Sequence, residues 1–206
     1  MVPVYFVLGN HDFWNAPEAV VRAMASTFPG YLDRGEIIEL TPRVALVGRS
    51  GWYDTLSGNP GSSRVEPQDW KRIERFVDVW RVPHLLQLQC RRWSEEETEK
   101  AIPVLEEAAR GHQEVFLVTH FPCFSAACFA PDGLLDVPDS GWWPWSINTT
   151  FGHAIREVTD NHPHVEFTVL TGHTHGGGKV QLTPNLTCVA GRAHYGDPQL
   201  AAQWCF

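Results

Sequence analysis

Apolar residues occur along this chain in short dense runs, and three of them end abruptly at side chains that carry protons or bind metals. Val4-Tyr5-Phe6-Val7-Leu8 stops at Gly9-Asn10-His11-Asp12. Val115-Phe116-Leu117-Val118-Thr119 stops at His120, and Val165 to Thr171 stops at Gly172-His173-Thr174-His175. Runs this short, rich in β-branched and aromatic residues, predict buried strands rather than helices. Each then delivers its polar group at a strand's carboxyl end, where α/β sheets bind ligands.

Between these runs the period changes. Pro17 to Phe28 predicts a helix with proline in its first turn, Ala19, Val20, Ala23 and Met24 at helical spacing, and Pro29-Gly30 as its stop. Ile37–Leu40 and Val44–Gly48 predict strands joined by a turn at Thr41-Pro42-Arg43. The second strand leads into Gly51-Trp52-Tyr53-Asp54. Residues 67–80 predict a helix with Trp70, Ile73, Phe76, Val77 and Trp80 on one stripe. Ser94-Glu95-Glu96-Glu97 reads as a capping box opening a helix over 94–110, with Gly111 after its end and Pro103 as a kink or a break. An irregular segment then runs from Phe124 through Ile147. A helix over 152–161 and strands over 179–182 and 187–190 complete the pattern. Strands alternating with helices indicate an α/β layered domain.

Composition narrows the class. At 206 residues the chain supports a single domain over 1–206, without repeats or low-complexity stretches. A formal charge of -8 argues against a nucleic-acid-binding surface. No apolar run reaches membrane-spanning length, and no secretory leader precedes the first strand. Five cysteines without a C-x-x-C pair fit reduced thiols, so a cytoplasmic protein is expected.

Lone histidines are more often surface or core filler than ligands, which is the reading for His84, His112, His153, His162 and His164. Gly9-Asn10-His11-Asp12 is, taken alone, equally readable as ordinary strand-to-helix turn chemistry. Gly172-His173-Thr174-His175 is harder to explain that way. Histidines one residue apart, if extended, point to the same side of the backbone, a spacing useful to a metal site. Asn10, His120, His173 and His175 offer one amide oxygen and three imidazoles, a donor set suited to manganese, iron or zinc rather than calcium. His11, with Asp12 beside it as a partner to fix its tautomer, is left for proton transfer or for contact with a phosphoryl oxygen.

In their order and spacing, Gly9-Asn10-His11-Asp12, His120 and Gly172-His173-Thr174-His175 resemble the last three motifs of the calcineurin-like metallophosphoesterases, across almost the whole chain. The resemblance implies a two-sheet β-sandwich flanked by helices. It also implies two divalent ions and hydrolysis of phosphate monoesters or diesters by a metal-activated water that attacks phosphorus. Carried over, Asn10, His120 and His173 bind one ion and His175 the other. His11 meets the phosphate and assists the leaving group, and Asp12 orients His11. The partner implied is a small phosphorylated substrate or a phosphoprotein.

The family's pattern opens with Asp-x-His and Gly-Asp-x-x-Asp, and neither precedes Gly9 here. The expectation is therefore an amino-terminally truncated member without the first family strands, whose second ion has only His175. Two rivals stand beside it: a non-catalytic binding module and a single-ion hydrolase. Tyr53 and Asp54 are read as a packed turn or a pocket rim. Trp142-Trp143-Pro144-Trp145 either caps the metal cleft or covers the sheet edge, and His194 is expected to approach the site.

Overall fold

The computed structural model describes residues 2–130, 133–134, 141–197 and 199–206. Its frame is a six-stranded mixed sheet with strands β1 (Ile38–Thr41), β2 (Val44–Gly48), β3 (Glu114–Val118), β6 (Glu166–Thr171), β7 (Gly178–Thr183) and β8 (Leu186–Ala190), in the order β1-β2-β3-β6-β8-β7. β2, β3, β6 and β8 run parallel, and antiparallel β1 and β7 close the two edges. A short ribbon pairs β4 (Phe129–Ala130) with β5 (Gly133–Leu134). All five residues of β2 are buried, as expected of a parallel strand covered on both faces.

Helices α1 (Glu18–Ala25), α2 (Asp69–Arg72), α3 (Pro83–Gly111) and α4 (Thr149–Asn161) surround the sheet. α3 and α4 cover one face. Leu105, Ala108, Phe151, Ile155 and Val158 meet Val47, Val115, Leu117, Phe167 and Val169 there. A second, aromatic cluster lies beside the strand exits, with Trp52 stacked on Trp93 at 3.9 Å between ring centroids. The α/β class and the flanking helices match the expectation. All five cysteines are free thiols. Among the described residues no helix is long and apolar enough to cross a membrane.

Several boundaries differ from the sequence pattern. Val4–Leu8 is not a strand of the sheet. Phe6 makes one isolated parallel bridge to Tyr31, donating from its N–H to Gly30 O and accepting from Leu32 N–H, while Val4 is exposed. Among the described residues no strand runs beside the segment, and the turn after α1 satisfies the backbone of Phe6 while the Ser50 hydroxyl takes the Leu8 N–H. Met24 and Val20 of α1 face solvent, and Ala25 and Val21 face the core. The helix expected over 67–80 shrinks to the four residues of α2 and continues as turns. The turns still bury Ile73 and Phe76 but leave Val77 exposed.

The helix expected to open at Ser94 opens at Pro83. Ser94 is buried in its interior, and its hydroxyl donates to Asn148 Oδ1 rather than capping. Pro103 neither ends nor splits the 29-residue α3. In the irregular stretch from Phe124 to Ile147, residues 131–132 and 135–140 lie outside the described residues.

Candidate metal centre

Hydrogen bonding carries the ladder past the strand ends and so fixes the residues just beyond them. Thr119 N–H donates to Leu170 O, His120 N–H to Ser50 O, Gly172 N–H to His120 O, and Gly191 N–H to Thr171 O, at 2.8–3.1 Å. His120 and His173 are thereby placed side by side beyond β3 and β6, with ring centroids 5.2 Å apart. Both pack on Phe121, whose ring centre lies 4.8 Å from that of His120 and 4.4 Å from that of His173.

The opening segment reaches the same place by another route. Arg49, the residue after β2, makes a bidentate pair with buried Glu97 at 2.7 and 2.8 Å. Arg22 bridges Glu97 to Asp33. Asp33 accepts from both the N–H and the hydroxyl of Ser50, and the Ser50 hydroxyl accepts from Leu8 N–H at 2.9 Å. This buried network anchors Leu8, and the next four residues turn into the cleft. There Gly9 lies flat against the His120 ring: a β-carbon at position 9 would fall 2.8 Å from His120 Cε1. Only glycine admits that approach.

Asn10–Phe13 form a single 3-10 turn, held by the Asp12 carboxylate accepting from Gly9 N–H at 2.7 Å. Asp12 was expected to orient His11. Its carboxylate closes the turn, and the His11 ring lies against Trp14, tilted by 33° with centroids 3.8 Å apart. The exposed His11 imidazole stands at the cleft rim, near-parallel to Tyr195 at 6.1 Å.

Asn10 is buried and points inward, its Oδ1 3.0 Å from His120 Nε2. Burial, then the neighbouring His173, His11 and His175, hold His120 well below the ordinary imidazole range. Burial likewise brings His173 down to about 4, against the opposing carbonyl of Trp145. Neutral imidazoles are the form that binds metal.

His173 and His175 are not extended. Both adopt positive φ, at 65° and 61°, a conformation that is strained for residues other than glycine and marks functional turns. His173 enters the floor, whereas His175, partly exposed, packs edge-on against Tyr195 at 5.0 Å. His175 is lowered from its ordinary value by burial, then by His11 and His194. His194 approaches to that extent, but it is exposed and does not line the cleft.

The cleft has a volume of about 700 Å³, and its walls bring together all six residues picked from the sequence: Asn10, His11, Asp12, His120, His173 and His175. Of the two readings for the tryptophan cluster, the wall position holds for Trp142 and Trp145. Tyr53 and Asp54 are the packed turn, fully buried, with Asp54 accepting from Thr150 and Leu56. Sequence reasoning missed Asp69 and Tyr195, which also line the cleft. Asp69 is buried and accepts from Asn10 Nδ2 and Trp14 Nε1. Burial raises its carboxyl, with these hydrogen bonds pulling the other way. No metal-binding spacing surrounds Asp69 in sequence, so only the folded proximity reveals it.

Donor type and convergence in Asn10, His120 and His173 fit one divalent ion. Among the described residues no three or more His, Cys, Asp or Glu side chains gather as a metal site, so this floor offers two imidazoles and one amide, with His175 on the same cleft wall.

A solved structure of a dimetal phosphatase from Danio rerio superimposes with a TM-score of 0.54 at 20% identity, covering 92% of this chain and 60% of that one. No curated protein matches the chain. The profile of calcineurin-like phosphoesterases matches residues 1–177, which take in the three motifs that meet in the cleft. The chain belongs to the calcineurin-like phosphoesterase family.

Proposed function

We propose that this cleft hydrolyses phosphate monoesters or diesters with the help of a bound divalent ion. The observation that carries the reading is the meeting of Asn10 Oδ1 and His120 Nε2 at 3.0 Å, beside the half-buried ring of His173. Asn10, His120 and His173 would hold the ion, and manganese, iron or zinc matches their oxygen and nitrogen donors. Such an ion supplies Lewis-acid polarisation of the phosphoryl group and activation of water.

The remaining work falls to the chain's own side chains. His11 is accessible at the rim and braced by Trp14, so it serves as the acid that protonates the leaving oxygen. Asp12 acts at one remove, by holding the turn that carries His11. Trp142, Trp145 and Tyr195 wall the space beyond the phosphate and exclude water from the organic part of the ester. The substrate is a small phosphorylated molecule or a phosphorylated protein side chain. Free cysteines support a reducing, cytoplasmic setting.

A single-ion version of the same chemistry is favoured by one observation, the packing of His175 against Tyr195 at 5.0 Å between ring centroids. Metal content per chain, measured with turnover of aryl phosphate monoesters and diesters, separates the two. Two ions per active chain support a paired centre, and one supports the single-ion version. His11→Ala should lower kcat by about 10²- to 10⁴-fold with metal content unchanged. Full activity in that variant removes the acid role, and firm ion binding without turnover of any ester overturns the hydrolase reading.

A further inference from the structure

We propose that Asp69 is the positioning residue of this centre, setting which end of the Asn10 side chain faces the ion and holding the ring against which His11 rests. The proposal rests on the metal-site reading above and adds to it a carboxylate from outside all three motifs.

Asp69 opens α2, some sixty residues from the Gly9-Asn10-His11-Asp12 turn, and only 2% of it is exposed. Its Oδ1 accepts two hydrogen bonds at 2.8 Å, one from Asn10 Nδ2 and one from Trp14 Nε1. An asparagine amide has two ends of nearly the same shape but opposite hydrogen-bonding character. With Nδ2 committed to a carboxylate, Oδ1 must point the other way, and it does so at His120 Nε2. The flipped amide would set Oδ1 against the Asp69 oxygen, two acceptors without a proton between them, inside a buried pocket. It would also present N–H groups, which cannot bind a cation, to the floor. The carboxylate therefore selects the ligating orientation.

The second bond reaches the catalytic side. Trp14 is fixed at its indole N–H by Asp69 and on its ring face by Arg72, whose guanidinium lies 4.7 Å from the ring centroid. His11 lies against that same ring, tilted by 33°. One buried oxygen thus aligns a ligand directly and the acid indirectly. Partners that orient ligands in this way typically account for 10- to 100-fold in metal affinity.

The test uses Asp69→Asn, which keeps the volume and one acceptor, together with the exchange variant Asn10→Asp/Asp69→Asn. In the exchange a carboxylate occupies position 10 and an amide that can donate to it occupies position 69. Manganese affinity is measured by calorimetry on the full chain. The side-chain amide of Asn10 and the indole N–H of Trp14 are followed by NMR in metal-free protein, the latter assigned with Trp14→Phe. Asp69→Asn should shift both signals and weaken manganese binding by about 10- to 100-fold while the far-UV spectrum stays folded. The exchange should recover most of the loss.

Unshifted Asn10 and Trp14 signals overturn the proposal, as does an affinity equal to wild type in Asp69→Asn, or an exchange variant that is folded but no tighter than Asp69→Asn. If wild-type protein binds no manganese, the metal-site reading fails, and with it the ligand-orienting claim. The metal-free signals then still report whether Asp69 holds Asn10 and Trp14.

Discussion

The two sides of the cleft are built in different ways. His120 and His173 come after strands whose ladder continues beyond their ends, so the sheet itself fixes their backbones. Asn10 and His11 come after a segment that joins no strand. It is held by the Arg49–Glu97–Arg22–Asp33–Ser50 network on one flank and by Asp69 on the other. The floor's strand-borne half thus depends on hydrophobic burial and backbone hydrogen bonds, and its other half on buried charge. Buried ion pairs are a fragile anchor: removing one partner leaves an unpaired charge in a poorly solvated place. The same fold therefore places one half of a metal site robustly and the other conditionally.

Three perturbations sharpen this contrast, in decreasing order of expected effect. Glu97→Ala strands the buried Arg49 guanidinium and should lower stability by about 3–5 kcal/mol in urea unfolding. The loss should appear first around Leu8–Asn10 in hydrogen exchange. Uniform loosening of β3 and β6 at the same rate would deny the division between the two halves.

Acid is expected to act on the strand-borne half. His173 titrates near 4 when folded against 6.5 in its ordinary state. Between those values the unfolded chain binds the proton and the folded chain does not. The contribution is therefore intact above about pH 6.5 and falls away as pH drops toward 4, by up to about 3 kcal/mol. Denaturation curves of wild type and His173→Gln from pH 7 to 4 check the sign, since the variant should lose less stability on acidification.

Gly9→Ala is the smallest of the three and joins the halves directly. Its methyl group would meet the His120 ring, for an overpacking penalty of about 1–3 kcal/mol and a displaced ligand. Thermal unfolding together with manganese titration reads both, and a variant indistinguishable from wild type would mean that the two halves do not touch there.

The sheet was legible in the sequence because its strands are short apolar runs with sharp ends. β2, β3, β6, β7 and β8 fall within a residue or two of the runs that predict them. Val4–Leu8 has the same composition but, among the described residues, pairs only through the Phe6–Tyr31 bridge, and local pattern cannot report which partners folding brings alongside. Ser94 shows the converse failure. Its capping-box sequence is genuine, yet Pro83 starts the helix earlier and the serine is drawn inside to bond Asn148.

At the site, all six residues chosen by chemistry reached the cleft. The relative directions of His173 and His175 were not readable, because positive φ at both positions undoes the alternation that an extended strand would give. Asp69 was hidden for a simpler reason. A lone aspartate gains meaning only when folding brings Asn10 and Trp14 to it.

The most direct measurement is X-ray absorption at the zinc edge of protein loaded with one equivalent of zinc. A first shell of nitrogen and oxygen at about 2.0–2.2 Å, with multiple scattering from two imidazoles that drops to one in either His120→Ala or His173→Ala, is the predicted result. A shell without imidazole scattering, or one that neither substitution alters, would show that these strand exits do not hold the ion.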